Sequence, residues 1–149
     1  MLVDESELEL SELSDRLDLL EKSSSNPYPW RRWLFDRIRA IDPLRVLELG
    51  SGSGCLWADN LGQLGMRWEI VVSDLSSAKL AQSQSRIGAR RGFDFQVIDA
   101  HRIPYPDDYF DVVVADHLLH RISEPELVLR EIRRVLRRGG KLLVSAIGK

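Results

Sequence analysis

One cysteine, Cys55, and three histidines are all that 149 residues offer of thiolate and imidazole ligands. A lone thiol closes no internal disulfide, and this set falls short of the spaced Cys/His cluster that a structural zinc demands. No apolar run approaches the length of a membrane span. Basic charge is scarce too: 21 Lys and Arg against 23 Asp and Glu leave a formal charge of -2. A protein whose main task is gripping a phosphate backbone needs the opposite balance. The opening MLVDESELELSE is acidic where a secretory signal would be basic, and interrupted where it would be apolar. These absences lead us to expect a cytoplasmic chain with no metal, no membrane insertion and no indicated nucleic-acid partner.

What is present fits one soluble domain, with 44% hydrophobic and 30% charged residues. Leucines at 10, 13, 17 and 20 fall on one face of a helix expected over 5–22. The stretch SSSNPYP then breaks it, and WRRWLFDRIRAI restores helical spacing up to Asp42-Pro43. Residues 1–43 are thus expected to form an N-terminal helical extension. From 44 to 149, short apolar runs alternate with helical stretches, the pattern of a parallel sheet covered on both faces. Five strands are expected, at 45–49, 68–74, 93–99, 110–116 and 141–147, joined by helices near 55–64, 76–90 and 124–138. The last of these carries a capping box, Ser123 with Glu126, and a Gly139-Gly140 stop. Its arginines 130, 133, 134, 137 and 138 read as a solvated face. The fold class is α/β, a Rossmann-like doubly wound and mostly parallel sheet.

The run VLELGSGSG at 46–54 closes the first strand on an acid and three alternate glycines. Such a strand-turn-helix unit puts a ligand across the carboxyl ends of the strands. The dinucleotide fingerprint G-x-G-x-x-G fails from either start, since Cys55 or Trp57 occupies the third glycine position. The phosphate-binding G-x-x-x-x-G-K-[ST] loop fails for want of a lysine. Glu48 would repel a pyrophosphate and attract an ammonium or sulfonium. Asp74, 24 residues after Gly50, stands where a carboxylate accepts from ribose hydroxyls. Asp99 closes the third strand and could accept from an adenine amine. A phosphate-free nucleoside with a cationic amino-acid tail meets this description.

The chain resembles the class I S-adenosylmethionine-dependent methyltransferases, of the broad group often called type 11, over roughly residues 44 to 147. Glu48, Gly50, Gly52 and Gly54 fill the family's first motif, Asp74 its acid after the second strand, and Asp99-Ala100 its acid and small residue after the third. IPYPDDYFDVVVADHLLHRI and EIRRVLRRGGKLLVS are similar to its fourth strand and its last helix, glycine turn and fifth strand. EKSSSNPYPWRRWLFD resembles the N-terminal lid of some members. The resemblance implies S-adenosylmethionine as cofactor, held by Glu48, Gly50, Ser51, Gly52, Gly54, Asp74, Leu75, Asp99, Ala100 and Asp116. It implies methyl transfer to a small molecule, with His117 and His120 as candidate bases beside the fourth strand. Each residue also has a plainer role: tight turn for the glycines, helix cap for Asp74, loop turn for Asp99, surface or packing for the histidines, core for Trp30, Trp33 and Trp57. A cofactor-binding module without catalysis and a nicotinamide-dependent oxidoreductase are the two other classes.

Family members carry two further strands where this chain stops at Lys149, whether as a shortened, a minimal natural or a designed form. LLVSAI would then be an uncovered apolar edge, and self-association through it is expected.

Overall fold

Val46, Val72 and Val114 are completely buried, and so are Leu47 and Val113 one residue away on their strands. Successive strand residues point to opposite faces, so a sheet with both sets buried must be covered on both sides. The computed structural model describes residues 16, 19, 20, 22–38 and 42–146. Within them, strands β1 (Leu44–Leu49), β2 (Trp68–Asp74), β3 (Phe93–Val97), β4 (Phe110–Ala115) and β5 (Leu136–Val144) form one sheet. The strand order is β3-β2-β1-β4-β5, and every pairing is parallel. Helices α1 (Trp30–Ile38), α2 (Cys55–Ala58) and α3 (Ser77–Ile87) cover one face. Helix α4 (Pro125–Val135) covers the other, through Val128, Ile132 and Val135. This is the doubly wound arrangement expected.

Helix α1 belongs to the first of these two cores, where Leu34, Phe35 and Ile38 pack with Trp57 and Trp68. The leucine-striped helix at 5–22 lies almost wholly outside the described residues, as do 39–41 and the end of the LLVSAI run at 147.

Three elements depart from the sequence expectation. Helix α2 has four residues rather than ten, because the Asn60 side chain donates to the Leu56 carbonyl at 2.7 Å. That bond displaces the backbone N–H of Asn60, which turns instead to Trp57 O at 2.9 Å, and the helix tightens and stops. Helix α4 starts one residue later than the capping box requires. Glu124 is the cap, with φ of 52°, and no side chain closes it. Strand β5 begins at Leu136, directly after α4, and its register breaks between Leu136 and Lys141.

Arg134 is no solvated residue. Its guanidinium donates to the carbonyls of Ile103 and Tyr105 at 2.8 and 2.7 Å and pairs with Glu131 and Asp107, which clasps the loop before β4.

Candidate cofactor cleft

Glu48 pairs across the sheet with Val72 on β2 and with Val114 on β4. Asp74 and Asp116 each stand two residues beyond those partners, so the strand period of two brings all three acids to one face, above neighbouring strand tips. That face is the one covered by α1, α2 and α3. Between the strand tips and these helices lies an open cleft of about 1460 Å³.

Glu48 is 3% exposed and accepts a hydrogen bond from Trp57 Nε1 at 2.7 Å. Burial pushes its carboxyl up to about 8; the Trp57 bond opposes the shift, and the nearby Asp116 and Asp74 add to it. From sequence, Glu48 is expected to carry a standing negative charge. Burial instead favours its neutral form, because desolvation outweighs the hydrogen bond from the indole.

Asp74 ties two turns together. Its Oδ2 accepts from the Gly52 N–H at 3.0 Å and its Oδ1 from the Ser76 N–H at 2.9 Å. Ser76, not Asp74, caps α3, through Lys79 N. Each Asp74 oxygen keeps one lone pair, enough for a pair of vicinal hydroxyls. Leu75, next along, is 68% exposed and lines the cleft with Ile98 and Ala100, an apolar wall suited to a flat base.

Gly50, Ser51 and Gly52 line the cleft, whereas Gly54 does not. Gly52 has φ of 55°, and a Cβ there would meet nothing within 4 Å, which leaves its backbone open to a ligand. Gly54 faces α3 instead: a Cβ would come within 2.9 Å of Ser83 Cα. It lets the first turn pack against the next helix, the service the dinucleotide fingerprint asks of its third glycine.

Asp99 is exposed, and His101 occupies it, donating its backbone N–H at 2.9 Å and meeting Asp99 Oδ1 through Nδ1 at 2.7 Å. Asp99 is thereby held below the usual carboxylate range. The His101 ring also bonds to Ser123 O, and this contact, followed by Asp99, raises its pKa. Asp116 accepts from Trp30 Nε1 at 3.2 Å and from the Ser145 hydroxyl, which also receives the His117 backbone N–H at 2.9 Å. His117 lines the cleft, and its Nδ1 is buried without a hydrogen-bond partner. His120 is exposed and stands 6.3 Å from the His117 ring, off the cleft wall; burial and the neighbouring Arg121 lower its pKa.

Sequence reasoning did not find the partners Trp57, His101 and Ser145. Trp57 stands nine residues after Glu48, on α2 with the glycine turn between them, and only an indole in a predicted apolar core next to a strand-end acid could have signalled it. Trp30 carries a further contact that composition does not reveal, since its ring stacks on Trp33 at 4.8 Å while its N–H reaches β4's end.

The cleft fits S-adenosylmethionine: an open glycine backbone at Gly52, two acceptor lone pairs on Asp74, an apolar wall at Leu75 and buried acids where a cationic tail would lie. Residues 47–144 match the family model described as a methyltransferase domain, well over half of the chain. The chain belongs to that family. Its relatives and its fold are those of methyltransferases. The chain is 31% identical over 123 residues to the ubiquinone/menaquinone biosynthesis C-methyltransferase UbiE of Vibrio campbellii, covering 80% of this chain and 48% of the relative. It therefore spans about half the length of the curated relatives it matches. Among solved structures it is similar to the [4+2]-cyclase SpnF, at 30% identity and TM-score 0.69, covering 76% of this chain and 42% of that one. It is also similar to the CMeT domain of the citrinin polyketide synthase, at 27% identity and TM-score 0.68, covering 86% and 37%. Among the described residues, no group of three or more His, Cys, Asp or Glu could hold a metal ion, and no helix is long and apolar enough to cross a membrane.

Proposed function

We propose that this chain binds S-adenosylmethionine in the cleft and transfers its methyl group to a small-molecule acceptor. The observation that carries the reading is the set of Glu48, Asp74 and Asp116 above adjacent strand tips, bordering the open turn at Gly52. Asp74 holds the ribose, Leu75 and Ala100 face the adenine, and Glu48 lies towards the amino-acid tail. When bound, the cofactor supplies a methyl group already activated by its sulfonium. The protein's share is to hold the acceptor in line and to exclude water, which needs no obligatory acid or base. His117, beside Asp116, stands where an acceptor proton would be released.

The small-molecule class is supported by the places of UbiE in quinone biosynthesis and of the CMeT domain in a polyketide synthase. A formal charge of -2 gives no help to a nucleic-acid acceptor. A second reading has one observation behind it. SpnF, as close in sequence as UbiE, is a cyclase, so this fold also serves chemistry other than methyl transfer, and a cofactor-holding module is the alternative.

Titration calorimetry with S-adenosylmethionine and NAD side by side tests the reading. S-adenosylmethionine should bind and NAD should not. Asp74→Asn should weaken binding at least about tenfold, the loss of one charged hydrogen bond of about 1.5–3 kcal/mol. Asp74→Ala also frees the Gly52 and Ser76 N–H groups, so it should weaken binding further. Equal binding by wild type and both variants would remove the ribose from Asp74. Methyl-labelled cofactor incubated with pooled small metabolites separates transfer from mere binding.

A further inference from the structure

Glu48 is a buried acid whose one side-chain hydrogen bond comes from a neutral indole. Among the described residues no lysine or arginine pairs with it, and the charged groups facing it are themselves acids, Asp74 from β2 and Asp116 from β4. His117 lies 3.8 Å from Asp116, and Arg121, in the turn after β4, acts on Asp74. Helix α2 brings Trp57 and Cys55, α3 brings Lys79 and Arg86, the latter donating to Cys55 Sγ, and α1 brings Trp30 and Arg31, the latter in an ion pair with Asp59. A carboxylate in this setting lacks both solvent and counter-charge.

We propose that Glu48, positioned by the Trp57 indole, is a neutral acid in the ligand-free protein and releases its proton to water when the cationic amino-acid end of the ligand docks beside it. The inference rests on the reading that the cleft takes S-adenosylmethionine, and it deepens that reading by making Trp57 a positioning residue for recognition. One O–H bond breaks, the proton passes to buffer, and the carboxylate is left facing the incoming cation. Burial that holds the carboxyl up to about 8 fixes the direction. Below that pH, binding must release a proton, so affinity rises by about tenfold per pH unit and levels off above about 8.

The experiment is calorimetry on the full chain at pH 6.5 to 9, in two buffers of different ionisation enthalpy. Three probes are used: S-adenosylmethionine, S-adenosylhomocysteine and 5′-methylthioadenosine. About one proton should be released at pH 7 with both tailed compounds, and none with methylthioadenosine, which lacks the amino-acid tail. Release with S-adenosylmethionine alone would assign the effect to the sulfonium and overturn the role given to the amino-acid end. Glu48→Gln should bind without proton release and with flat pH dependence. Trp57→Phe, which removes the one bond favouring the carboxylate, should move the affinity plateau to higher pH, an outcome that loss of packing alone does not produce. Should Trp57→Phe fail to fold, Glu48→Gln decides alone. Tight binding with no proton release by wild type would overturn this inference and leave the proposed function standing; no binding by any probe would overturn both.

Discussion

Trp57 fills the centre of the core and, through one N–H, also bonds a buried acid on the cleft wall. The alternation of apolar residues foretells the core; the polar contact depends on where α2 ends, which Asn60 decides. Glu48 was legible as an acid at a strand tip, but its protonation was not, since desolvation is a property of everything packed around it. Gly54 gives the sharpest single-residue test. Its φ of 74° and the Ser83 backbone leave no room for a side chain. Gly54→Ala combines a left-handed backbone with overpacking, at a cost of about 2–4 kcal/mol. A melting temperature lowered by on the order of 10 °C, measured by circular dichroism, is the expected outcome. An unchanged melt would show that α3 can move aside.

Helix α1 and strand β4 are joined at the cleft mouth by the Trp30–Asp116 bond, although 86 residues separate them. Residues before and within α1, among them Asn26, Tyr28 and Trp30, line the cleft opposite the glycine turn. Trp30→Phe keeps the stacked ring on Trp33 and deletes the N–H, a loss of about 1–2 kcal/mol for a bond to a carboxylate. Hydrogen–deuterium exchange should then quicken in the first turn of α1 while β1 and β4 stay protected. Unaltered exchange would mean that packing of Leu34, Phe35 and Ile38 holds the helix unaided. The helix pattern at 30–38 was readable because its apolar residues recur at helical intervals; its destination was not, since nothing local says which strand tip an indole will reach. The same holds at α4. Its amphipathic stripe was plain, but Arg134 was taken for a solvated residue because the carbonyls it binds lie in a loop 29 and 31 residues away.

The order β3-β2-β1-β4-β5 leaves β3 and β5 at the edges of the sheet among the described residues. Val97 and Val144 there are 56% and 48% exposed. Unpaired strand backbone beside apolar side chains is a template for another chain, so light scattering of the 149-residue chain should give a mass that rises with concentration. A constant monomer mass would end the idea. The fold as a whole was legible because five apolar runs, each ending in a turn signal, admit few other arrangements, and the acids were placed by the same count. What closed the sequence to further reading was contact between distant elements: His101 on Asp99, Ser145 on Asp116, Gly54 on Ser83.

Asp99 follows β3 and Asp116 follows β4, with β2 and β1 between them. Three interstrand gaps of about 4.8 Å make that interval about 14 Å, so the sheet would act as a ruler laid under the ligand proposed for it. A compound that touches both marks has to be that long and outstretched. Half of it, a bare nucleoside or a bare amino acid, can satisfy only the marks at its own end.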